Sequence, residues 1–313
     1  MGSQALVAAM RSARSRSTSA ARRREAIEGF LCILPWCIGF IAFTAGPMIA
    51  SLYLSLTNYE ILRPISFIAL GNFAKAGRDA LFAKSLYNTA FYSFLYVPLH
   101  LATALATALI LNVKTKGIGV YRTIFYVPSI MPAVANAFLW MWIFNPEYGL
   151  ANAFLNIFGL PPQKWLFDEA LAKPSFVIMG LWGLGSSMII FLAGLQGVDI
   201  NLYEAAAIDG ANWWTKFWGI TLPMITPIIF FNLTIGIINS FQVFTTAFIA
   251  TGGGPNNATL FYVLYIYQQG FLFAKMGYAS ALAWVLFVIV LVITLIQFAT
   301  AGRWVYYEVE RKA

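Results

Sequence analysis

An all-α fold that crosses a membrane six times, with a helix–turn–helix in one cytoplasmic loop, follows from three features of this 313-residue sequence. Apolar residues make up 60% of it and charged residues only 10%, with 27 Phe, 15 Tyr and 10 Trp, whereas a water-soluble chain carries roughly a quarter charged residues. Stretches without Asp, Glu, Lys or Arg run over residues 29–59, 85–113, 123–146, 174–198, 217–274 and 276–302, each longer than the ~20 residues a helix needs to cross about 30 Å of hydrocarbon. The segment 197–222 between two of them is patterned like a pair of short helices rather than an ordinary loop. A mean hydropathy of +0.73 points the same way. With one histidine, His100, and two cysteines five positions apart, Cys32 and Cys37, the sequence argues against a metal centre or a disulfide framework.

Residues 1–27 read as a disordered basic cytoplasmic arm. Six of the 20 basic residues, Arg11, Arg14, Arg16, Arg22, Arg23 and Arg24, stand there, and positions 1–24 hold no acid. The apolar runs give span cores near residues 30–54, 86–111, 123–144, 174–196, 223–250 and 277–300. The first follows a basic stretch without a signal-peptidase site and is read as a retained anchor. Pro98, Pro128, Pro132 and Pro227 mark bends or interruptions, and Trp140 and Trp142 fit an aromatic belt. The 217–274 run must be divided, because Thr251-Gly-Gly-Gly-Pro255-Asn-Asn is turn-rich and costly in lipid. Residues 260–273 are then too short to span, and read as an aromatic segment lying at the interface or packed under the extracytoplasmic rim.

Six spans put both termini on one face. Placing the arm, residues 112–122, residues 197–222 and the C-terminus in the cytoplasm gives that side 13 of the 20 Lys and Arg and 7 of the 12 acids, a net +6 against +2 outside. The positive-inside rule then makes both termini cytoplasmic. The body is residues 28–303, and residues 304–313 form a cytoplasmic tail.

Within residues 197–222, Asp199 is placed to cap a helix through Leu202, Tyr203, Glu204, Ala205, Ala206, Ala207 and Ile208. Gly210 stops it. A second short helix from about Asn212 to Phe217 carries Trp213, Trp214 and Trp218. Three alanines leave a thin surface suited to close approach by another protein's groove, and a plain amphipathic interface helix is the competing reading. Glu204 and Asp209, about 140° apart around a helix, suit caps and partner donors better than a catalytic pair.

The same residues carry a resemblance. EAAAIDGANWWTKFWGITLPMITP, Glu204 to Pro227, resembles the coupling-loop signature of ATP-binding-cassette importer permeases. Within that class it is similar to the carbohydrate-uptake branch, which serves maltose and other oligosaccharides, lactose, α-glucosides, trehalose, polyols and glycerol 3-phosphate. YRTIFYVPSIMPAVANAFLWMWIFNPEYGLAN at 121–152, TGGGP at 251–255 and GYASALAWVLF at 277–287 match that branch in order, so the resemblance covers essentially residues 28–303. The layout is more like the maltose-F-type partner of a two-permease pair than the shorter G-type partner. Val198-Asp199 stands where the family has a proline, Trp218 where it often has arginine, and the large insertion and two extra N-terminal spans of the enteric maltose permease are missing.

The resemblance implies a multi-subunit importer of the bacterial or archaeal cytoplasmic membrane: a second homologous permease, two cytoplasmic ATPase subunits and an extracytoplasmic solute-binding protein. This chain has no GxxxxGK[ST] loop, so ATP and magnesium are expected on partner chains. Glu204, Ala205, Ala206, Asp209 and Gly210 are implied to couple to the ATPase, and the solute to be a sugar, oligosaccharide or polyol. From the residues alone, Asn232, Gly236, Asn239, Ser240 and Val243 share one helical face. Amides there are costly against lipid, so the face is expected to meet other helices or an aqueous cavity. The resemblance places Gly236, Asn239, Ser240 and Val243 on the solute pathway, with Trp182, Gly183 and Ser186 of span four. Polar helix–helix contact is the competing reading for Asn239, and the favoured one for Asn232, Asn136 and His100. Tyr262, Tyr265 and Tyr267 are expected to anchor at the interface, or to form a rim that meets the binding protein.

An intramembrane hydrolase or glycosyltransferase would need converging acids, histidines or an activated serine, and neither HExxH nor GxSxG occurs. The chain is therefore expected to be no enzyme but a permease subunit forming half of a translocation pathway. The alternative, a secondary transporter or channel for a small polar solute, would call for internal repeats or coupling-ion residues within the membrane, and none is evident.

Overall fold

The computed structural model describes residues 23–60, 64–113 and 115–306; residues 1–22 of the expected arm over 1–27 and residues 307–313 of the expected tail over 304–313 lie outside them. Residues 23–27 are helical rather than disordered, as the first turns of the helix that continues into the first apolar run. Among the described residues the only β pairing is a bridge between Thr57 and Phe67. Everything else is helix or loop. Helix α1 (Arg23–Ser55) passes through a π-helical turn at Ile41–Ala45. The short α2 (Gly71–Ala76) follows, and then α3 (Ala80–Leu111), which runs unbroken through Pro98.

Next come two bent pairs. Helix α4 (Ile118–Tyr126) and a 3-10 turn at Val127–Ile130 meet α5 (Ala133–Ile143) at 99°. After the connecting α6 (Leu150–Ile157), α7 (Ala172–Trp182) meets α8 (Gly185–Gly197) at 49°. Then follow α9 (Ile200–Ile208), α10 (Trp213–Lys216), a second π-helical turn at Phe217–Thr221, α11 (Thr226–Ser240), α12 (Thr245–Ala250), α13 (Tyr262–Tyr267) and α14 (Met276–Ala301). Among the described residues four helical segments are long and apolar enough to cross a membrane, and up to six if each bent pair is one span.

The interruption expected at Pro128 and Pro132 is present, whereas the breaks in the fourth and fifth spans fall where no proline announces them, for different reasons. At the first break Pro132 lacks a backbone N–H and pushes Met131 into an extended conformation (φ −69°, ψ 134°). At the second, Gly183 ends α7 and no proline is involved. At the third, residues 241–244 interrupt α11 and α12 with neither proline nor glycine, Phe244 lying at φ −135°, ψ −66°.

Small residues allow the bent spans to pack closely. Ala104 and Ala108 of α3 are wholly buried against Met188, Phe191, Leu192 and Leu195 of α8, the small-residue contact that lets helices approach where lipid provides no hydrophobic driving force. A Cβ on Gly180 would strike the Tyr96 ring, and one on Gly185 would lie 2.7 Å from Tyr126 Cα. Helix α1 is the exception. Its C-terminal half lies along α14, with Trp284 Nε1 donating to Ser51 Oγ at 3.1 Å, but Phe30, Trp36 and Phe43 are exposed.

The end of the bundle bearing the 252–254 glycine loop is the most tightly cross-linked. Asn88 Nδ2 donates to the carbonyls of Asn257 and Leu260 (2.9 and 3.1 Å), Lys84 Nζ to that of Asn256 (2.6 Å), and the Tyr262 N–H to Thr89 Oγ1 (2.8 Å). Of the 260–273 segment, residues 260–270 are packed, with Phe261, Tyr262, Leu264 and Tyr265 buried in the main cluster with Phe176 and Leu282, whereas Phe271, Leu272 and Phe273 are exposed. Tyr262 and Tyr265 are therefore not available as an outward rim.

Asp79 closes this end. One carboxylate oxygen caps α3 by accepting from the Leu81 and Phe82 N–H groups (2.9 and 3.3 Å); the other accepts from the Tyr265 and Tyr278 hydroxyls, the latter at 2.7 Å. Burial alone would raise the pKa of Asp79, but these hydrogen bonds outweigh it and hold the carboxyl below its ordinary value. Burial, reinforced by the bond to Asp79, raises the Tyr265 phenol. The cluster therefore stabilises the fold fully above the unfolded carboxylate pKa of ~3.9 and below the unfolded phenol pKa of ~10. It is lost as pH falls through the depressed carboxyl pKa or rises through the elevated phenol one. Asp79→Ala is expected to cost about 1–3 kcal/mol, seen as a lower Tm of the detergent-solubilised chain at neutral pH, with the difference from the unaltered chain shrinking on acidification.

Candidate functional site

The segment from Val198 to Thr221 is built by local capping. Asp199 accepts from the Asn201 N–H at 2.9 Å and so starts α9. The helix ends when the N–H groups of Gly210 and Ala211 return to the carbonyls of Ala207 and Ala206 (3.1 and 2.8 Å), with Gly210 at φ +78°, the closure that suits glycine because a side chain is strained there. Asn212 then caps α10, accepting from the Thr215 N–H at 2.9 Å. Tyr203 ties α9 back to the chain beyond α10 through a 2.9 Å hydrogen bond between its hydroxyl and that of Thr221.

Glu204, Ala205, Asp209 and Gly210 are exposed and Ala206 is half-buried. Ile208 is 87% exposed, and Trp213, Trp214 and Trp218 are each about three-fifths exposed, forming a joined aromatic cluster with Phe217. Neither Glu204 nor Asp209 is ion-paired, the one salt bridge between described residues being Arg24–Glu28. An apolar surface of this kind, rimmed by two carboxylates, is built for contact.

The residues singled out in the spans do not form one open face. Trp182 closes α7 and meets the Trp140 ring edge-on at 5.8 Å; Gly183 is the break itself; Ser186 is exposed in the first turn of α8. On α11, Gly236 lies against Val97, where a Cβ would sit 3.5 Å from a methyl. Ser240 is 1% exposed and donates to the Ile237 carbonyl at 2.9 Å. Asn232 is likewise buried and donates to the Ile228 carbonyl at 3.0 Å. Val243 sits in the 241–244 interruption, half-buried on the main cluster. Only Asn239 among these α11 side chains is exposed, and Gln242, within the interruption, is exposed beside it in sequence. Among the described residues no hydrogen bond or ring contact joins the span-four group to the α11 group.

His100 donates to or accepts from Ser187 at 3.1 Å through Nε2, linking α3 to α8, the interhelical role favoured for it. The Asn136 side-chain oxygen and Trp140 Nε1 are buried without a hydrogen-bond partner. Among the described residues no three His, Cys, Asp or Glu come together as a metal site. Sequence patterning missed Asp79, Asn88 and Ser187, because each acts through a partner far along the chain.

With this geometry in hand, the chain can be set beside known proteins. A family model described as "Binding-protein-dependent transport system inner membrane component" matches residues 85–305. The probable ABC transporter permease protein YesP of Bacillus subtilis is 44% identical over 291 residues, covering 91% of this chain and 94% of that protein. The trehalose/maltose transport system permease protein MalF of Thermococcus litoralis is 34% identical over 288 residues, covering 91% and 97%. Among solved structures, one chain of a bacterial alginate ABC transporter in complex with an alginate pentasaccharide-bound periplasmic protein matches at a TM-score of 0.80 and 26% identity, covering 91% of this chain and 96% of that one.

The close approach at Gly185 generates a test of the bent fourth span. Gly185→Val is expected to destabilise the chain by about 1–3 kcal/mol through overpacking against backbone, whereas Gly197→Ala, where nothing lies within 4 Å, leaves the Tm near its original value.

Proposed function

We infer half of a transport pathway from one premise: the chain belongs to the binding-protein-dependent transport system inner membrane component family. It is the permease subunit of an ABC importer for sugars. Its pathway is completed by a second, homologous permease. Two cytoplasmic ATPase subunits bind ATP and magnesium, and an extracytoplasmic solute-binding protein delivers a sugar, oligosaccharide or polyol-like solute. In this arrangement each bent pair counts as one span, giving six in the cytoplasmic membrane. Both termini and the α9–α10 loop face the cytoplasm, as the distribution of basic residues favours.

The observation that carries the coupling role is the exposed surface of α9, its glycine turn and α10. Glu204, Ala205, Ala206, Asp209 and Gly210 present a thin, capped element with a broad apolar patch beside it. Closure of the ATPases moves this element, and the short tie from Tyr203 to Thr221 passes the movement toward α11. Two global states biased by separate sites make the coupling allosteric.

The solute path runs past the interrupted helices. Non-helical backbone at membrane depth is tolerated where it is buried in protein or lines a cavity, and breaks of this kind carry solute sites in transporters. Asn239 and Gln242 at the 241–244 interruption, and Trp182, Gly183 and Ser186 at the span-four break, are the groups we assign to it. Gly236, Ser240 and Val243 shape the same level from inside the bundle. Amide and hydroxyl groups suit neutral sugar hydroxyls.

Two outcomes test this reading. Gly210→Val forces a β-branched residue into a left-handed turn, and the reconstituted complex is expected to lose solute-stimulated ATP hydrolysis while the chain still inserts; unchanged stimulation would remove α9 from the coupling path. Asn239→Leu is expected to weaken the solute encounter by about 1–3 kcal/mol and to reorder transport rates among hydroxyl-deleted analogues. A uniform loss across those analogues would mean that Asn239 is structural.

A further inference from the structure

A cavity of about 690 Å³ opens where α3 ends, α4 begins and α8 passes into α9, lined by Asn112, Val113, Ile118, Arg122, Leu195, Gln196, Val198, Ile200 and Tyr203. Among the described residues that line it, the one charged group at neutral pH is the Arg122 guanidinium, and none is an acid. Arg122 is carried on the first turns of α4, just after Gly117 at φ +85° sets the direction of that helix. Through Nη2 it donates to the Leu111 carbonyl at 2.9 Å, satisfying one of the free carbonyls at the α3 C-terminus. That contact uses one of five N–H donors. Nε is buried and has no partner, and Arg122 forms no ion pair with a described residue.

Arg122 is half-buried, and its remaining Nη donors have no acceptor among the described residues, so the group that would complete them is an anion in the cavity. Guanidinium pairs best with planar or tetrahedral oxyanions through two parallel N–H bonds, phosphate among them. The amides of Asn112 and Gln196 add neutral donors, whereas the Tyr203 hydroxyl is already engaged with Thr221. The remaining wall is aliphatic: Val113, Ile118, Leu195, Val198 and Ile200. A volume within the roughly 300–1,000 Å³ range of small-molecule sites exceeds what inorganic phosphate fills and leaves room for a carbon body.

We propose that this cavity is a binding site for a phosphate group attached to an organic body, held by Arg122 and backed by the aliphatic wall. The same chemistry is offered by an anionic phospholipid headgroup and by a soluble organic phosphate. An occupant bridges α3, α4 and α8 to Ile200 and Tyr203 of α9, so it also sets the posture of that helix. The site is a property of this chain and stands whether or not α9 couples to an ATPase.

The test uses the purified full-length chain without ATPase subunits, so no nucleotide site competes. One arm adds millimolar inorganic phosphate at matched ionic strength to the detergent-solubilised chain. The other compares nanodiscs of phosphatidylglycerol with nanodiscs of phosphatidylcholine. We expect an upward Tm shift of about 2–4 °C in at least one arm, reduced at least severalfold by Arg122→Gln. Val198→Trp, which fills the cavity from another wall and leaves Arg122 in place, should abolish the shift equally and guards against a mere folding defect in the arginine variant. A response only to phosphatidylglycerol assigns the site to lipid, and a response to phosphate assigns it to a soluble ligand. Equal responses of the unaltered chain and both variants in both arms would overturn the proposal.

Discussion

Inside hydrocarbon a backbone has no water to turn to, so each interrupted helix leaves N–H and C=O groups that only the protein can answer. Three of the apolar runs in this chain are interrupted, at Met131–Pro132, at Gly183 and over residues 241–244. The first bent pair rests on α8 and α12, and the structure packs the other broken spans around the unbroken α3. That helix touches α7, α8, α11 and α13, and small residues on either side of the contacts bring the backbones close enough to exclude lipid. The breaks are affordable only because one long helix stays intact through its own proline.

The two ends of the bundle are built on opposite principles. Around the glycine loop, side chains of α3 reach backbone carbonyls and hydroxyls far along the chain, and large aromatic residues are fully buried. Around α9, hydrogen bonds are mostly local caps, and the large apolar side chains are left facing outward. Such a division suits a transport subunit, in which one end must hold its shape while the other must meet a moving partner. Between the two cores, the His100–Ser187 hydrogen bond spans the level at which the fourth span bends.

What could be read from the sequence was what depends on near neighbours. Asp199 capping α9 and Gly210 closing it are decided within a few residues, and both caps are present as expected. The apolar runs were equally legible because hydrocarbon thickness imposes a length. By contrast, the interruption at residues 241–244 has no proline or glycine to announce it, and the burial of Tyr262 and Tyr265 is imposed by α3 and α14 rather than by their own segment. The α11 face was sound as periodicity, but helical phase does not say which neighbours stand at each height, and so Ser240 lies buried beside an exposed Asn239. The remaining cation at Arg122 escaped notice because its cavity is assembled from four separate helical segments.

The cap on α3 also bears on how the polypeptide is made. Asp79 is joined to Tyr265 and Tyr278, 186 and 199 residues later, and Asn88 and Thr89 likewise wait for residues 257–262. A ribosome releasing this chain from its N-terminus therefore inserts α3 long before its polar side chains can find their final acceptors and donors. Until the last third is synthesised, those groups must be met by water, by headgroups or by the insertion machinery. The final hairpin of the chain thus serves as a keystone, and a product truncated before residue 257 would lack both the ring contacts of Phe82 and Tyr92 with Tyr262 and Phe261 and the polar partners of Asp79, Asn88 and Thr89.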